Sequence, residues 1–196
     1  MNNHRDRTLS YHGLLMAGFV MTSSFMVSFP SQAYDDGDLE RLLTTNACPD
    51  CDLADADLRR YNLSGADLRG ANLSGANFYL TDISGADLSR ADLTEAYFGK
   101  SVAIATYFNL AILDEANIYQ ANFSGAVLTN TSMDNTYVED SLFLNADLQD
   151  ADMRETILVD SNFEGSTLCT AEMDYGDYRY EERFRYSCSR ELLTVE

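Results

Sequence analysis

The chain has 196 residues and a formal net charge of −19, from 32 acidic side chains against 13 basic ones. That length is enough for one domain of ordinary size. The charge disfavours nucleic acid and anionic lipid headgroups as partners, and suits solubility, cation association or a basic partner. There is no Trp, one Lys (Lys100), and the two His residues are His4 and His12.

The first 33 residues read as a targeting segment. Arg5 and Arg7 form a basic start, and residues 14–21 with 25–27 form an apolar core broken by Thr22, Ser23 and Ser24. Ser31-Gln32-Ala33 then puts small residues at both cleavage-determining positions, which predicts a secretory signal cut between Ala33 and Tyr34. The alternative is an uncleaved anchor, but the apolar core is shorter than the ~20 residues that a span needs. After removal of the segment no membrane association is expected. Loss of Arg5, Asp6 and Arg7 takes the net charge from −19 to −20 and leaves no His. Nucleophile pairs of the Ser–His and Cys–His kind are thereby excluded. Export implies an oxidising compartment, the periplasm or the thylakoid lumen, where the four cysteines, Cys48, Cys51, Cys169 and Cys188, default to disulfides with three possible connectivities.

Residues 34–47 are expected to form an N-terminal cap. Asp38 is positioned to N-cap a short helix over 39–43, with Leu39, Leu42 and Leu43 on one face. A repeat array needs such a cover for its terminal apolar face.

From Leu53 a large apolar residue recurs every five positions: Leu58, Leu63, Leu68, Leu73, Phe78, Ile83, Leu88, Leu93, and onward to Leu168 and Met173 without insertion or deletion. A small residue stands two positions before each except Leu63, where the position is Tyr61. This period belongs neither to a helix nor to a strand. Separate strands would need turn clusters between them, and the reading finds none.

The tandem pattern A-[DN]-[LF]-[ST]-G over roughly 48–175 resembles the pentapeptide-repeat family, and residues 43–53 look like the start of the array in exported cyanobacterial members. The resemblance implies an all-β solenoid, a right-handed quadrilateral β-helix in which each pentapeptide forms one side and twenty residues one coil. The central and small residues point inward. Some six coils, stacked about 4.8 Å apart, follow from the length of the array. Four inner ladders are then expected, beginning at Leu53, Leu58, Leu63 and Leu68. Ala103 is the one undersized rung, and Phe123 is expected to lean over it. Residues 176–196 are assigned to a C-terminal cap with a short helix over 189–193.

In this frame Cys48 and Cys51 both point inward at the first coil. They are paired with each other as a structural disulfide, and Cys169 is paired with Cys188 in the tail. A redox-active Cys48/Cys51 pair is the sharper alternative, but such pairs normally head a helix. Zinc would need further ligands. No cofactor is expected. The outward aspartates, such as Asp52, Asp57 and Asp67, read as a solvated acidic face, with weak Ca²⁺ association possible.

Between 97 and 144 the outward positions turn apolar and aromatic. Tyr97, Val102, Ile104, Tyr107, Ile112, Tyr119, Val127 and Tyr137 form a candidate protein-contact patch. The alternative is that sheet faces simply favour such residues. The leading functional expectation is an exported, non-catalytic structural or protein-binding module with an unidentified protein partner. An acidic, DNA-mimicking inhibitor of a gyrase-type topoisomerase is a second reading, implied by some family members. A thiol–disulfide role for Cys48 and Cys51 is a third.

Overall fold

A computed structural model describes residues 34–172, all of which fall in one contact unit, Gln32–Glu196. The signal segment, the C-terminal cap and Cys188 lie outside the described residues. Among the described residues, no helix is long and apolar enough to cross a membrane.

Helix α1 spans Asp36–Thr45. Its N-cap is Asp35, whose side chain accepts from the Gly37 and Asp38 N–H groups at 2.8 and 3.0 Å. The expected cap, Asp38, lies inside the helix instead. Its Oδ2 accepts the Asp52 N–H at 2.8 Å, tying the helix to the first coil. Only Leu42 is completely buried; Leu39 packs partly and Leu43 is exposed. Asn46, left-handed at φ 56°, ends the helix.

From Ala47 onward the chain pairs with itself in parallel at a separation of twenty residues: Ala47 with Asp67, Asp52 with Asn72, and so on to Asp152 with Glu172. Three short strands, β1 (Asn117–Tyr119), β2 (Tyr137–Glu139) and β3 (Ile157–Val159), form a parallel sheet in the same register. Elsewhere each pentapeptide contributes a single bridging residue, because a turn follows at once.

That turn recurs every five residues. At most corners the N–H of the residue at the small position donates to the central carbonyl three positions earlier, as in Ala56 to Leu53 at 3.1 Å. The last residue of each pentapeptide has positive φ, which is Gly at six positions and Asp, Asn, Arg, Glu or another residue elsewhere. A left-handed residue at the third turn position favours Gly or Asn. The turn signals that the sequence reading did not find are therefore present, spelled as Ser64-Gly65 or Ser74-Gly75 and blurred where other residues take the corner.

Four turns separate bridged partners, so each coil has four sides. The first carries the ladder from Leu53, the second from Leu58, the third from Leu63 and the fourth from Leu68, and these central residues are buried. Phe rungs twenty apart stack with centroids 4.8 Å (Phe78–Phe98), 5.1 Å (Phe123–Phe143) and 4.6 Å (Phe143–Phe163). Those spacings match the distance between hydrogen-bonded strands. Burial loosens at Leu158 and Leu168.

Candidate functional site

Most outward Asp and Asn residues do more than face water. Where the residue before the central position is Asp or Asn, Asn117 apart, its Oδ1 accepts the N–H of the residue two further on: Asn62 from Ser64 (3.0 Å), Asp82 from Ser84 (2.9 Å), Asp92 from Thr94 (3.0 Å), Asn162 from Glu164 (2.9 Å). These are Asx turns, each fixing the corner that follows. The plain acidic-face reading is thus corrected for these positions. Three of the carboxylates also hold an arginine two residues on: Asp57 with Arg59, Asp67 with Arg69, Asp152 with Arg154. The hydrogen bond from each guanidinium keeps the carboxyl below its ordinary range.

Two runs of four sides lack Asp or Asn at the acceptor position: Val127, Ser132, Tyr137 and Leu142 make up one, and an earlier coil the other. In that earlier coil Tyr97, Val102, Tyr107 and Ile112 occupy the acceptor position on the second, third, fourth and first sides in turn. None can accept a hydrogen bond at the corner. The exposed residues of this coil run from Ile104 through Tyr107 and Leu110 to Ile112, with relative exposures of 42, 48, 51 and 41%. Of the proposed contact residues, Ile104, Tyr107 and Ile112 are exposed on the third, fourth and first sides of this coil in turn. Val102 precedes them and Val127 stacks over Tyr107. Tyr97, Tyr119 and Tyr137 stand apart on the second side, where Tyr97 and Tyr137 bridge Asn117 from below and above. Leu110, another outward apolar residue of the 97–144 stretch, takes a corner position with φ 59°, where Gly or Asn would be the ordinary choice.

Charge is unevenly distributed among the sides. Among the described residues the first side carries ten carboxylates against one arginine, Arg154. On the second side four carboxylates face Arg59, Arg60 and Lys100. Nothing in the five-residue period predicts this segregation, but counting charges at twenty-residue spacing would reveal it.

At the start of the array the Cys48 and Cys51 sulfurs lie at bonding distance, with Cα atoms 5.4 Å apart and both side chains buried. Arg41 of α1 reaches over them. Its Nε donates to Cys48 Sγ at 3.3 Å, its Nη2 approaches Cys51 Sγ, and the same guanidinium pairs with Asp38 at 3.3 Å. Asp38, Cys48 and Cys51 present ligand atoms within 4.8 Å of one another. A guanidinium seated on both sulfurs opposes a cation there. Cys169 is half-buried near the end of the described array.

The parallel coils, the Asx corners and the inward ladders define a solenoid of tandem five-residue repeats. The sequence matches "Pentapeptide repeats" in eight copies over residues 51–90, 91–130, 131–168 and 146–175, and the chain belongs to this family. Solved structures similar to it include the pentapeptide repeat protein Rfr23 from the cyanobacterium Cyanothece 51142, at 23% identity over 71% of this chain and 95% of that one, with a TM-score of 0.34. HetL from Nostoc sp. strain PCC 7120, involved in heterocyst differentiation regulation, matches at 25% identity over 69% and 70% of the two chains, with a TM-score of 0.25. A pentapeptide repeat protein from the Arabidopsis thaliana thylakoid lumen matches at 23% identity over 45% and 65%, with a TM-score of 0.28. Comparison with curated proteins gave no match.

Proposed function

We propose that this chain is an exported, non-catalytic protein-binding module, built as a right-handed four-sided β-helix and closed by caps at both ends. Its contact surface is the arc Ile104–Tyr107–Leu110–Ile112, bordered by Val102 and Val127. The observation that carries the reading is the coil centred on this arc. There, as in the coil of Val127, Ser132, Tyr137 and Leu142, the chain gives up the Asx acceptors that support most other corners, and here it also exposes Ile104, Tyr107, Leu110 and Ile112. Stability relinquished locally is expected where a surface serves something other than folding. An interior filled by side-chain ladders supports the non-catalytic part. The Cys48–Cys51 bridge serves as a structural staple beneath α1, with Cys169–Cys188 as its counterpart at the far end. The carboxylates of the first side would add weak cation association. The signal segment read over residues 1–33 supports export to the periplasm or thylakoid lumen.

The test is capture of a partner from that compartment by the full chain and by a Tyr107→Ala, Ile112→Ala double variant. The variant is expected to melt like the wild type and to lose the partner. Equal capture by both would refute the arc. Inhibition of supercoiling by the purified chain would instead favour the topoisomerase reading, which the acidic first side supports.

A further inference from the structure

The second side presents four tyrosines on successive coils, alternating between two columns. Tyr79 and Tyr119 follow their central residues, and Tyr97 and Tyr137 precede theirs. All four are half-buried rather than free in solvent. Tyr97 and Tyr137 are held in ways unrelated to folding a corner. A Cβ placed on Gly99 would fall 2.2 Å from the Tyr97 hydroxyl and 2.7 Å from Cε1, so the phenol end of Tyr97 fills the space above Gly99, which is buried. Gly99 is not left-handed, and its lack of a side chain serves the ring rather than the turn. Tyr137 is tied down differently, its hydroxyl donating to Glu139 Oε2 at 3.0 Å. The Tyr79 and Tyr97 rings are parallel to within 6°, 6.3 Å apart.

Between the rings stand amides. The ladder reads Asn77, Tyr97, Asn117, Tyr137. Ring and amide thus each recur at two coils, about 10 Å. At the lower end of the strip Tyr79 opens into a cavity of about 390 Å³ shared with Tyr61, Arg59 and Arg60. Arg59 is held by Asp57, whereas Arg60 forms no ion pair among the described residues.

We propose that this side is a binding platform for a linear, neutral, β-linked polysaccharide. The C–H face of a pyranose packs on an aromatic ring, and its hydroxyls need donors and acceptors at the edges. A strip that alternates rings with amides provides both, and an extended β-1,4-linked chain repeats by disaccharide at a comparable interval. Charge narrows the choice. A cationic polypeptide would be drawn to the ten-carboxylate first side, and a polyanion is repelled by a chain of −19. The near-balanced second side suits an uncharged polymer. Arg60 lies at the end of the strip to hydrogen-bond a terminal sugar. This site is separate from the Ile104–Ile112 arc, and the two proposals stand or fall independently.

Titration calorimetry of the full chain with cellohexaose and N-acetylchitohexaose, with maltohexaose as the α-linked comparator, tests the platform. Tyrosine fluorescence provides a second signal, undisturbed by Trp. At least one β-linked hexaose should bind, better than maltohexaose. Tyr97→Ala should weaken binding by about tenfold or more. Gly99→Ala should weaken it comparably, since it keeps all four rings but displaces one. Tyr119→Ala, which leaves Gly99 and the Tyr97 ring in place, covers the case in which Gly99→Ala does not fold. Ile112→Ala should leave binding unchanged. The proposal is overturned by absence of binding to both β-linked hexaoses, by affinities unaffected in Tyr97→Ala and Tyr119→Ala, or by a polypeptide that requires Tyr97 while no glycan binds.

Discussion

Phe108 and Phe123 stack with ring centroids 5.4 Å apart and planes at 21°, although they belong to different sides and different coils. Phe123 also meets Phe98 edge-on at 5.6 Å. Both partners belong to the coil that contains Ala103, one on either side of it. The undersized rung is therefore not a void. Two phenylalanines in one coil leave room for only a methyl group between them, and the ring above closes over both. Ala103→Leu restores the usual large central residue but should overpack this cluster, lowering stability by about 1–3 kcal/mol in urea denaturation. A gain in stability would show that space had been left beside Ala103.

The arc makes an opposite prediction. Val102→Asn and Tyr107→Asn place Asx acceptors where the coil has none. Each should raise stability by about 0.5–1 kcal/mol, because the gain is one local hydrogen bond, while reducing partner capture. Thermal melting and capture on the same variants measure both. Loss of stability would mean that the apolar residues are there to hold the coil together.

Inward hydroxyls give a third test. Thr81 Oγ1 donates to the Leu58 carbonyl at 2.6 Å, and Thr106 and Thr136 make the same bond to Ile83 and Leu113 at 2.8 and 2.7 Å. In each case the acceptor lies twenty-three residues earlier, in the preceding coil. No buried side-chain nitrogen or oxygen among the described residues lacks a partner. Thr106→Val keeps the volume but loses this cross-coil bond, and should cost about 1 kcal/mol. Thr106→Ala loses packing as well and should cost more.

At the N-terminal end, breaking the proposed Cys48–Cys51 bridge should cost about 2 kcal/mol, the chain-entropy value for so short a loop. Cys51→Ser, or melting in dithiothreitol, reads this directly. Arg41 contacts both sulfurs and would stabilise a thiolate once the bridge opened. An insulin-reduction assay, with Cys48→Ser as control, distinguishes a staple from an exchange catalyst: the staple predicts no rate above background.

Acid should weaken the array in a defined direction. Asp57, Asp67 and Asp152 have carboxyls held below their ordinary range by Arg59, Arg69 and Arg154. Stabilisation from such groups is fully present above the unfolded carboxylate value near 4 and fades as pH falls through the lower folded value. All three pairs are exposed, so the effect should be small and reduced by salt. Melting temperature against pH for wild type and for an Arg59→Gln, Arg69→Gln, Arg154→Gln variant should converge at low pH. Curves that stay parallel down to pH 2 would rule out this linkage.

The five-residue register was decided by the sequence alone. A large residue at every fifth position has one economical burial, in coils that repeat after a whole number of pentapeptides, and the inward ladders, the Cys48/Cys51 orientation and the start of the array follow from it. The helix start was misplaced because Asp35 and Asp38 are both acceptable caps, and only the position of Asp52 shows that Asp38 has another task. Tertiary structure decided what each outward residue faces. Residues adjacent on a side are twenty apart in the chain, so the ring over Gly99, the Thr81–Leu58 bond, the acidic first side and the division of the contact patch between two surfaces depend on how one coil settles on the next.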